Sequence, residues 1–272
     1  MNNKKKLSNK AKIRMMSIGL GVSICAMMFF AGYLFWQQHT MGQGQALYAS
    51  LPVEVISRQA SQQILLGQPA QTAHVAYISE EEFIPFINFD EMSELFPSII
   101  GWIQSEGTAI NYPIVQGSDN DFYLYHLADG TPNAMGSIFL DYRDSADFTN
   151  FPMIIYGHDM RAGQMFGSLR HYESQEFFEA HSSMFIFTPH ANYELILAVG
   201  YVLDSSVEVP PMSFNGPEDF YEFMEYITSR SVFSSNVQIS YSDRMVYLAT
   251  CTPTGSVDNR LVLVGKLVNI QV

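Results

Sequence analysis

The sequence predicts a mainly β domain, closed or nearly closed into a barrel, carried behind one membrane-spanning helix. Three observations carry that prediction. From Ile100 onward, short runs rich in β-branched and aromatic residues alternate with turn residues at a spacing typical of barrels. Ser17–Trp36 reads SIGLGVSICAMMFFAGYLFW, twenty residues without a charge. Only one long amphipathic helix interrupts the β-like half, at Pro217–Arg230.

In chain order, residues 1–16 form a basic tip and 17–36 the expected anchor. A helix rising 1.5 Å per residue needs roughly twenty apolar residues to cross the hydrocarbon core. Tyr33 and Trp36 stand near the outer end, where interfacial aromatics belong. Lys4, Lys5, Lys6, Lys10, Lys12 and Arg14 precede the span, which predicts a cytoplasmic N-terminus and an extracytoplasmic remainder. A cleaved signal peptide is the rival; it would have a shorter apolar run followed by a small-x-small site, and none closely follows Trp36. Residues 37–79, rich in Gln, Ala and Ser, read as a stalk or linker with a helical portion around Val53–Leu66. Glu80–Phe96 reads as one or two short helices at the start of a folded domain running from 80 to 272.

The expected strands are Ile110–Val115, Ser137–Tyr142, Met153–Tyr156, Phe185–Thr188, Tyr193–Tyr201, Gln238–Tyr241, Met245–Thr250 and Leu261–Ile270. Asp121–His126 reads as a short helix. The helix PEDFYEFMEYITSR opens with Pro and acids, as helix starts do. Its Phe220, Phe223, Met224 and Ile227 recur at helical spacing, and that stripe reads as core contact rather than a cofactor site.

Charge narrows the function classes. The chain carries fourteen Lys and Arg, six of them in the first fourteen residues, which leaves eight bases against 27 acids for everything beyond. So acidic a body argues against nucleic acid as a partner and tolerates a cationic or amine-bearing one. Of the two cysteines, Cys25 lies inside the apolar span and Cys251 is alone in the exported body. An unpaired exported cysteine implies an intermolecular bridge or a thiol kept for chemistry, with an inert buried residue as the bland alternative.

Asp243–Leu267, DRMVYLATCTPTGSVDNRLVLVGKL, reads as a strand, a polar loop and a second strand. If the two pair, Cys251 at the end of one and Arg260 at the start of the other share an edge, with strands about 4.7–4.9 Å apart. His158 follows the apolar strand MIIY and Gly157, so three strand ends converge on one cleft. Thiolate, imidazolium and guanidinium make a complete acyl-transfer set: nucleophile, acid for the leaving amine, and fixed donor for the oxyanion. Singly, each residue has a blander reading, as a surface or core histidine, a strand-end charge or a packed thiol. His39, His74, His126, His171, His181 and His190 take that reading.

Residues from about Phe83 onward resemble a class B sortase, one of the Gram-positive cysteine transpeptidases. Cys251 closes L-A-T-C, His158 sits in I-I-Y-G-H, and Arg260 opens R-L-V-L-V-G-K-L. The longer run GWI…GTAINYPIVQGSDNDFYLYH…GSIFLDYR is similar to that family as well. The resemblance implies an eight-stranded sortase-type β-barrel with N-terminal helices and a helix between strands six and seven. It implies nucleophile for Cys251, acid/base for His158, and oxyanion or substrate clamp for Arg260. It further points to Asn120, Leu124, Tyr156 and Thr250 as residues lining the substrate groove, where helix cap or core is the competing reading.

Tyr247 stands where the family usually has Thr, Asp159 where Asn is common, and Ala249 where some relatives have a polar residue. No acid lies at a position that assigns a triad carboxylate. Asp141, Asp144 and Asp147 invite a calcium reading, but a solvated acidic loop is the expectation, and neither metal nor cofactor is implied. The implied partners are secreted proteins bearing a C-terminal sorting signal and an amine acceptor from a peptidoglycan precursor or a pilin. A hydrolytic cysteine peptidase, a pilus-polymerising sortase and a non-catalytic membrane-anchored binding module remain as alternatives.

Overall fold

The structure, a computed structural model of the chain, describes residues 9–51, 53–57, 83–160, 162–203, 210–251 and 260–270. Its first element, α1, is a continuous helix over Asn9–Ala49. The helix is long and apolar enough to cross a membrane, and its side chains from Gly19 to Trp36 are exposed, Phe29 by 82%. Nothing among the described residues covers that apolar stretch.

Val53–Ser57 (β1) pairs antiparallel with Phe83–Ile87 (β2) in a separate two-stranded ribbon. The helix expected from Val53 therefore begins instead as a strand. V-E-V-I is β-branched and alternates apolar with polar at its start, which suits a pleated ribbon better than a helix. The remainder of that expected helix, residues 58–66, lies outside the described residues. Phe89–Leu95 (α2) follows, with the Asn88 side chain accepting from the Glu91 amide and acids in the first turn.

The body is a barrel of eight strands: β3 (Ile99–Gln104), β4 (Asn111–Val115), β5 (Ile138–Leu140), β6 (Met153–His158), β7 (Ser183–Phe187), β8 (Asn192–Leu203), β9 (Arg244–Cys251) and β10 (Arg260–Ile270). They close in the order β10-β8-β7-β3-β4-β5-β6-β9. Neighbours are antiparallel except β4 with β5 and β6 with β9, which run parallel. Closure leaves none of these eight strands as an open edge. Trp102, Ile103, Ile114, Ile155, Leu248 and Leu263 are among the side chains that fill the core.

Three expectations need correction here: Phe83–Ile87, read as part of one or two short helices over Glu80–Phe96, is a strand. Gln238–Tyr241 is not a strand: its chain turns at Ser240, whose amide donates to the Asp243 carboxylate (2.8 Å), and the turn ends the extended run. Ile99–Gln104 supplies the missing strand, where Gly101 interrupts the β-branched pattern of IIGWIQ. The helix expected at Asp121–His126 is a shorter 3-10 turn over Phe122–Leu124. A 3-10 segment at Gly167–Glu173 and a helix α3 (Gln175–Ala180) connect β6 to β7.

Helix α4 (Pro217–Thr228) lies between the sixth and seventh barrel strands. Pro217 presets the first turn, and Glu218 and Asp219 face the positive end of the helix dipole. Phe220 and Ile227 are fully buried. The Phe220 ring meets Phe214, Phe151 and Tyr241 at centroid distances of 5.2, 5.8 and 5.8 Å. Truncating a buried ring at such a cluster removes transfer free energy and leaves a cavity. Phe220→Ala is therefore expected to lower stability by about 3–5 kcal/mol. Chemical denaturation of the detergent-solubilised chain, followed by circular dichroism, measures the change.

Candidate active site

Two strand pairings bring the three chemistry-bearing positions together. β6 and β9 pair in parallel from Met153↔Val246 through Tyr156↔Ala249 and Gly157↔Thr250 to His158↔Cys251. Cys251 is thus the direct register partner of His158. β9 also pairs antiparallel with β10, ending at Val262↔Ala249. Continuing that register by two residues puts Arg260 level with Cys251. Residues 158, 251 and 260 therefore occupy one level on three adjacent strands, each spaced by about 4.8 Å. The loop between Cys251 and Arg260 lies outside the described residues.

The histidine is buried and hydrogen-bonded. His158 is 6% exposed, and its Nε2–H donates to the Leu124 carbonyl at 2.6 Å. Because a carbonyl only accepts, that bond fixes the tautomer and leaves Nδ1 as the ring atom that takes up and releases a proton. The Leu124 carbonyl belongs to the 3-10 turn, which Asp119 initiates: its Oδ1 accepts from the amides of Asp121 (2.9 Å) and Phe122 (2.8 Å). Those amides hold the Asp119 carboxyl below its ordinary pKa. The Tyr125 ring stands 6.4 Å from the imidazole.

Arg260 is half-buried, and its Nε is buried without a hydrogen-bond partner among the described residues. A buried donor left unsatisfied is costly.

The four positions expected in the groove divide differently. Leu124 contributes its carbonyl to His158, while its side chain packs against the core. Asn120 has both ends of its amide committed: Nδ2 donates to Asp141 Oδ2 (2.8 Å) and Oδ1 accepts from the Tyr142 amide (3.1 Å). Tyr156 is 8% exposed and its hydroxyl donates to the same Asp141 oxygen at 3.3 Å. Thr250 is 4% exposed, with Oγ1 donating to the Leu261 carbonyl at 3.3 Å.

The sequence reading put Asp141 in a solvated acidic loop, whereas the structure buries it. With no side-chain exposure, it accepts from Asn120, from Tyr156 and, through two nitrogens, from the Arg143 guanidinium (2.8 and 2.7 Å). Burial alone would raise its pKa, but the bonds from Arg143 and Asn120 outweigh that and hold the carboxyl below the usual range. The expectation of a solvated acidic loop is thereby corrected for two of its three acids. Asp144 is also buried and accepts from the Ile154 amide (3.0 Å), whereas Asp147 is exposed and bonded to Thr149. The carboxylates of Asp141 and Asp144 face internal donors, and no group of three or more metal-ligating side chains occurs among the described residues.

Burial pushes the Asp144 carboxyl up to about 6, the charge of Asp141 adding to it and the Ile154 amide opposing it. The folded protein therefore holds this proton more tightly than the unfolded chain, whose carboxyl titrates near 3.9. Stability from that difference is present below about pH 4 and is lost as pH rises through about 6. Asp144→Asn removes the penalty, so its melting temperature relative to the parent is expected to rise between pH 4 and pH 7, as thermal scans across that range will read. A gain that stays constant with pH would contradict the burial effect.

Comparison with known proteins converges on one family. The sortase domain matches residues 103–268. A sortase B from Listeria monocytogenes is 35% identical over 179 residues, covering 65% of this chain and 73% of that one. A Staphylococcus aureus sortase B–substrate complex superposes with a TM-score of 0.65 at 29% identity, over 67% of this chain and 85% of the other. A Bacillus anthracis protein described as similar to sortase B gives 0.65 at 30% identity, over 87% and 98% of the two chains.

Proposed function

The chain belongs to the sortase family, in its class B branch, and is a cysteine transpeptidase; from that premise we propose a membrane-tethered enzyme that cleaves a C-terminal sorting signal and passes the acyl group to an amine. In this reading Cys251 is the nucleophile, His158 the acid/base and Arg260 the oxyanion or substrate clamp. The observation that supports the assignment is the common level of residues 158, 251 and 260 on β6, β9 and β10.

The Cys251 thiolate attacks the scissile carbonyl carbon, and the carbonyl electrons move onto oxygen. The Arg260 guanidinium, whose buried Nε has no partner among the described residues, stabilises that oxyanion. As the tetrahedral adduct collapses, the C–N bond breaks and imidazolium His158 protonates the departing amine. A thioester to Cys251 remains. An incoming amine then attacks it, gives its proton back to His158, and the C–S bond breaks to restore the thiolate. Asn120, Leu124, Tyr156 and Thr250 shape the groove beside these residues. For Asn120 and Tyr156 that contribution passes through their bonds to Asp141, and Leu124 contributes through its carbonyl on His158.

The substrates are secreted proteins with a C-terminal sorting signal; that a staphylococcal relative has been solved as a substrate complex supports a substrate-binding groove here. The acceptor is a cell-wall peptide amine, with a pilin lysine as the alternative. Residues 17–36 form a single-pass anchor, the basic tip stays cytoplasmic, and residues 80–272 form the extracytoplasmic catalytic domain. Tethering raises the effective concentration of enzyme and membrane-held precursor.

In membranes containing the full chain and an exported precursor with a sorting signal, added hydroxylamine is expected to yield a hydroxamate-capped product, identified by mass spectrometry. Cys251→Ala abolishes it. Arg260→Lys keeps the charge but loses the guanidinium fork and lowers kcat by about 10²-fold, the usual loss for one oxyanion donor. Precursor processing by Cys251→Ala, or a product that stays uncapped at saturating hydroxylamine, overturns the reading.

A further inference from the structure

The membrane helix does not end where the apolar segment ends. α1 continues from Trp36 to Ala49 without a break, and its buried positions in that extension are Thr40, Gly44 and Tyr48. They stand four residues apart and so share one face. The face rests on the connection between the 3-10 turn and β5, residues 127–137. Asn133 Nδ2 donates to the Thr40 carbonyl at 2.6 Å. A Cβ at Gly44 would lie 2.4 Å from Met135 Cε and 3.2 Å from Leu127 Cδ2, so the helix passes close against both side chains. The Tyr48 ring packs edge-on against Tyr112 at 5.6 Å. Its hydroxyl donates to the Gly136 carbonyl at 3.2 Å and lies 3.0 Å from Ser137 Oγ, which itself donates to the His126 carbonyl at 2.9 Å.

Gly136 touches the histidine. It holds φ at 60°, and a Cβ there would fall 2.6 Å from the Leu124 oxygen and 2.9 Å from His158 Cδ2. The backbone that Tyr48 grips is therefore the same backbone that walls in the imidazole and the carbonyl fixing its tautomer. Tyr48 OH, the Gly136 carbonyl, the Gly136 Cα and the His158 ring form one contiguous path between the anchor and the catalytic level.

We infer that the outer end of the anchor helix is part of the active-site wall, and that Tyr48 is a positioning residue for His158. The inference rests on the proposed pairing of His158 with Cys251. Without the Tyr48 hydrogen bond the 133–137 turn relaxes away from the imidazole, and the bond from Nε2 to Leu124 is held less well. The ring then spends less time in the orientation that serves residue 251, and the ionisation of the thiol–imidazole pair shifts with it.

The test needs no substrate. In detergent-solubilised full-length protein carrying Cys25→Ala, the rate of Cys251 modification by the methanethiosulfonate MTSET is measured from pH 5 to 9, with unaltered melting temperature as the folding check. Tyr48→Phe keeps the ring and its contact with Tyr112. It is expected to slow modification at neutral pH by about 3- to 10-fold, the scale of one lost hydrogen bond, and to move the pH midpoint. Leu47→Ala removes partly buried packing on the same helix while keeping the Tyr48 hydroxyl, and is expected to leave rate and midpoint unchanged. If His158→Ala alters the profile while Tyr48→Phe matches the parent, the positioning role is refuted and the thiol–imidazole pairing stands. If His158→Ala itself leaves the profile unchanged, the pairing on which both readings depend is refuted.

Discussion

The parallel pairing of β6 with β9 is the constraint on which the site depends. Side chains alternate across a sheet with a period of two, so a slip of one residue would send every position on β9 to the opposite face. The register is held on both sides: β9 is bonded to β6 and β10, and β10 in turn to β8 along eleven residue pairs broken by one bulge between Val264 and Gly265. A slip at His158↔Cys251 would require the whole closed ring to shift. The parallel sense has a topological consequence as well. Strands pointing the same way need a long crossover between them, and β7, β8 and α4 lie within it. Two of the eight barrel strands and two helices thus lie in the connection that sets the two residues side by side.

Around that level the fold uses buried polar groups as posts rather than as reactants. Asp141 gathers Asn120, Tyr156 and Arg143 on one carboxylate. A buried charge is expensive unless every lone pair is engaged, and the number of donors aimed at Asp141 meets that condition. Its effect is geometric. Asn120 fixes the loop leading into the 3-10 turn whose Leu124 carbonyl holds His158, and Tyr156 lies two residues before His158 on β6. The second buried acid, Asp144, has an amide and no cation of its own, and the direction of its pKa follows from that difference.

Much of this was legible in the sequence, and the gaps have identifiable causes. Strands with sustained β-branched runs, such as MIIY before Gly157 and LVLVGKLVNI, stood out because their apolar pattern matches a pleated, buried sheet. Ile99–Gln104 did not, because Gly101 breaks that pattern and its pairing with β4 and β7 is long-range. Gln238–Tyr241 has strand-like composition but lies outside the barrel, since the Asp243 carboxylate caps a turn at Ser240. The strand ends that Cys251, His158 and Arg260 occupy were readable in the sequence. The role of Asp141 was not, because its partners Asn120 and Tyr156 are distant in sequence and an acid in DYRDSADF looks like any surface loop. Tyr48 lay in a segment read as a linker, and nothing in its neighbours marks it as a contact for Gly136.

That last oversight bears on how the tether works. A flexible linker leaves a catalytic domain free to sample a volume, and effective concentration then falls as the linker lengthens. A continuous helix docked through Thr40, Gly44 and Tyr48 behaves differently. Twelve residues from Trp36 to Tyr48 at about 1.5 Å each make a strut of roughly 18 Å. On the proposed topology, that strut fixes the height of the His158 level above the bilayer and its orientation toward it. On the same proposal, a membrane-held precursor presents its scissile bond at a height set by the same hydrocarbon boundary. Enzyme and precursor are then registered against one another by the membrane surface, much as β6 and β9 are registered by the barrel.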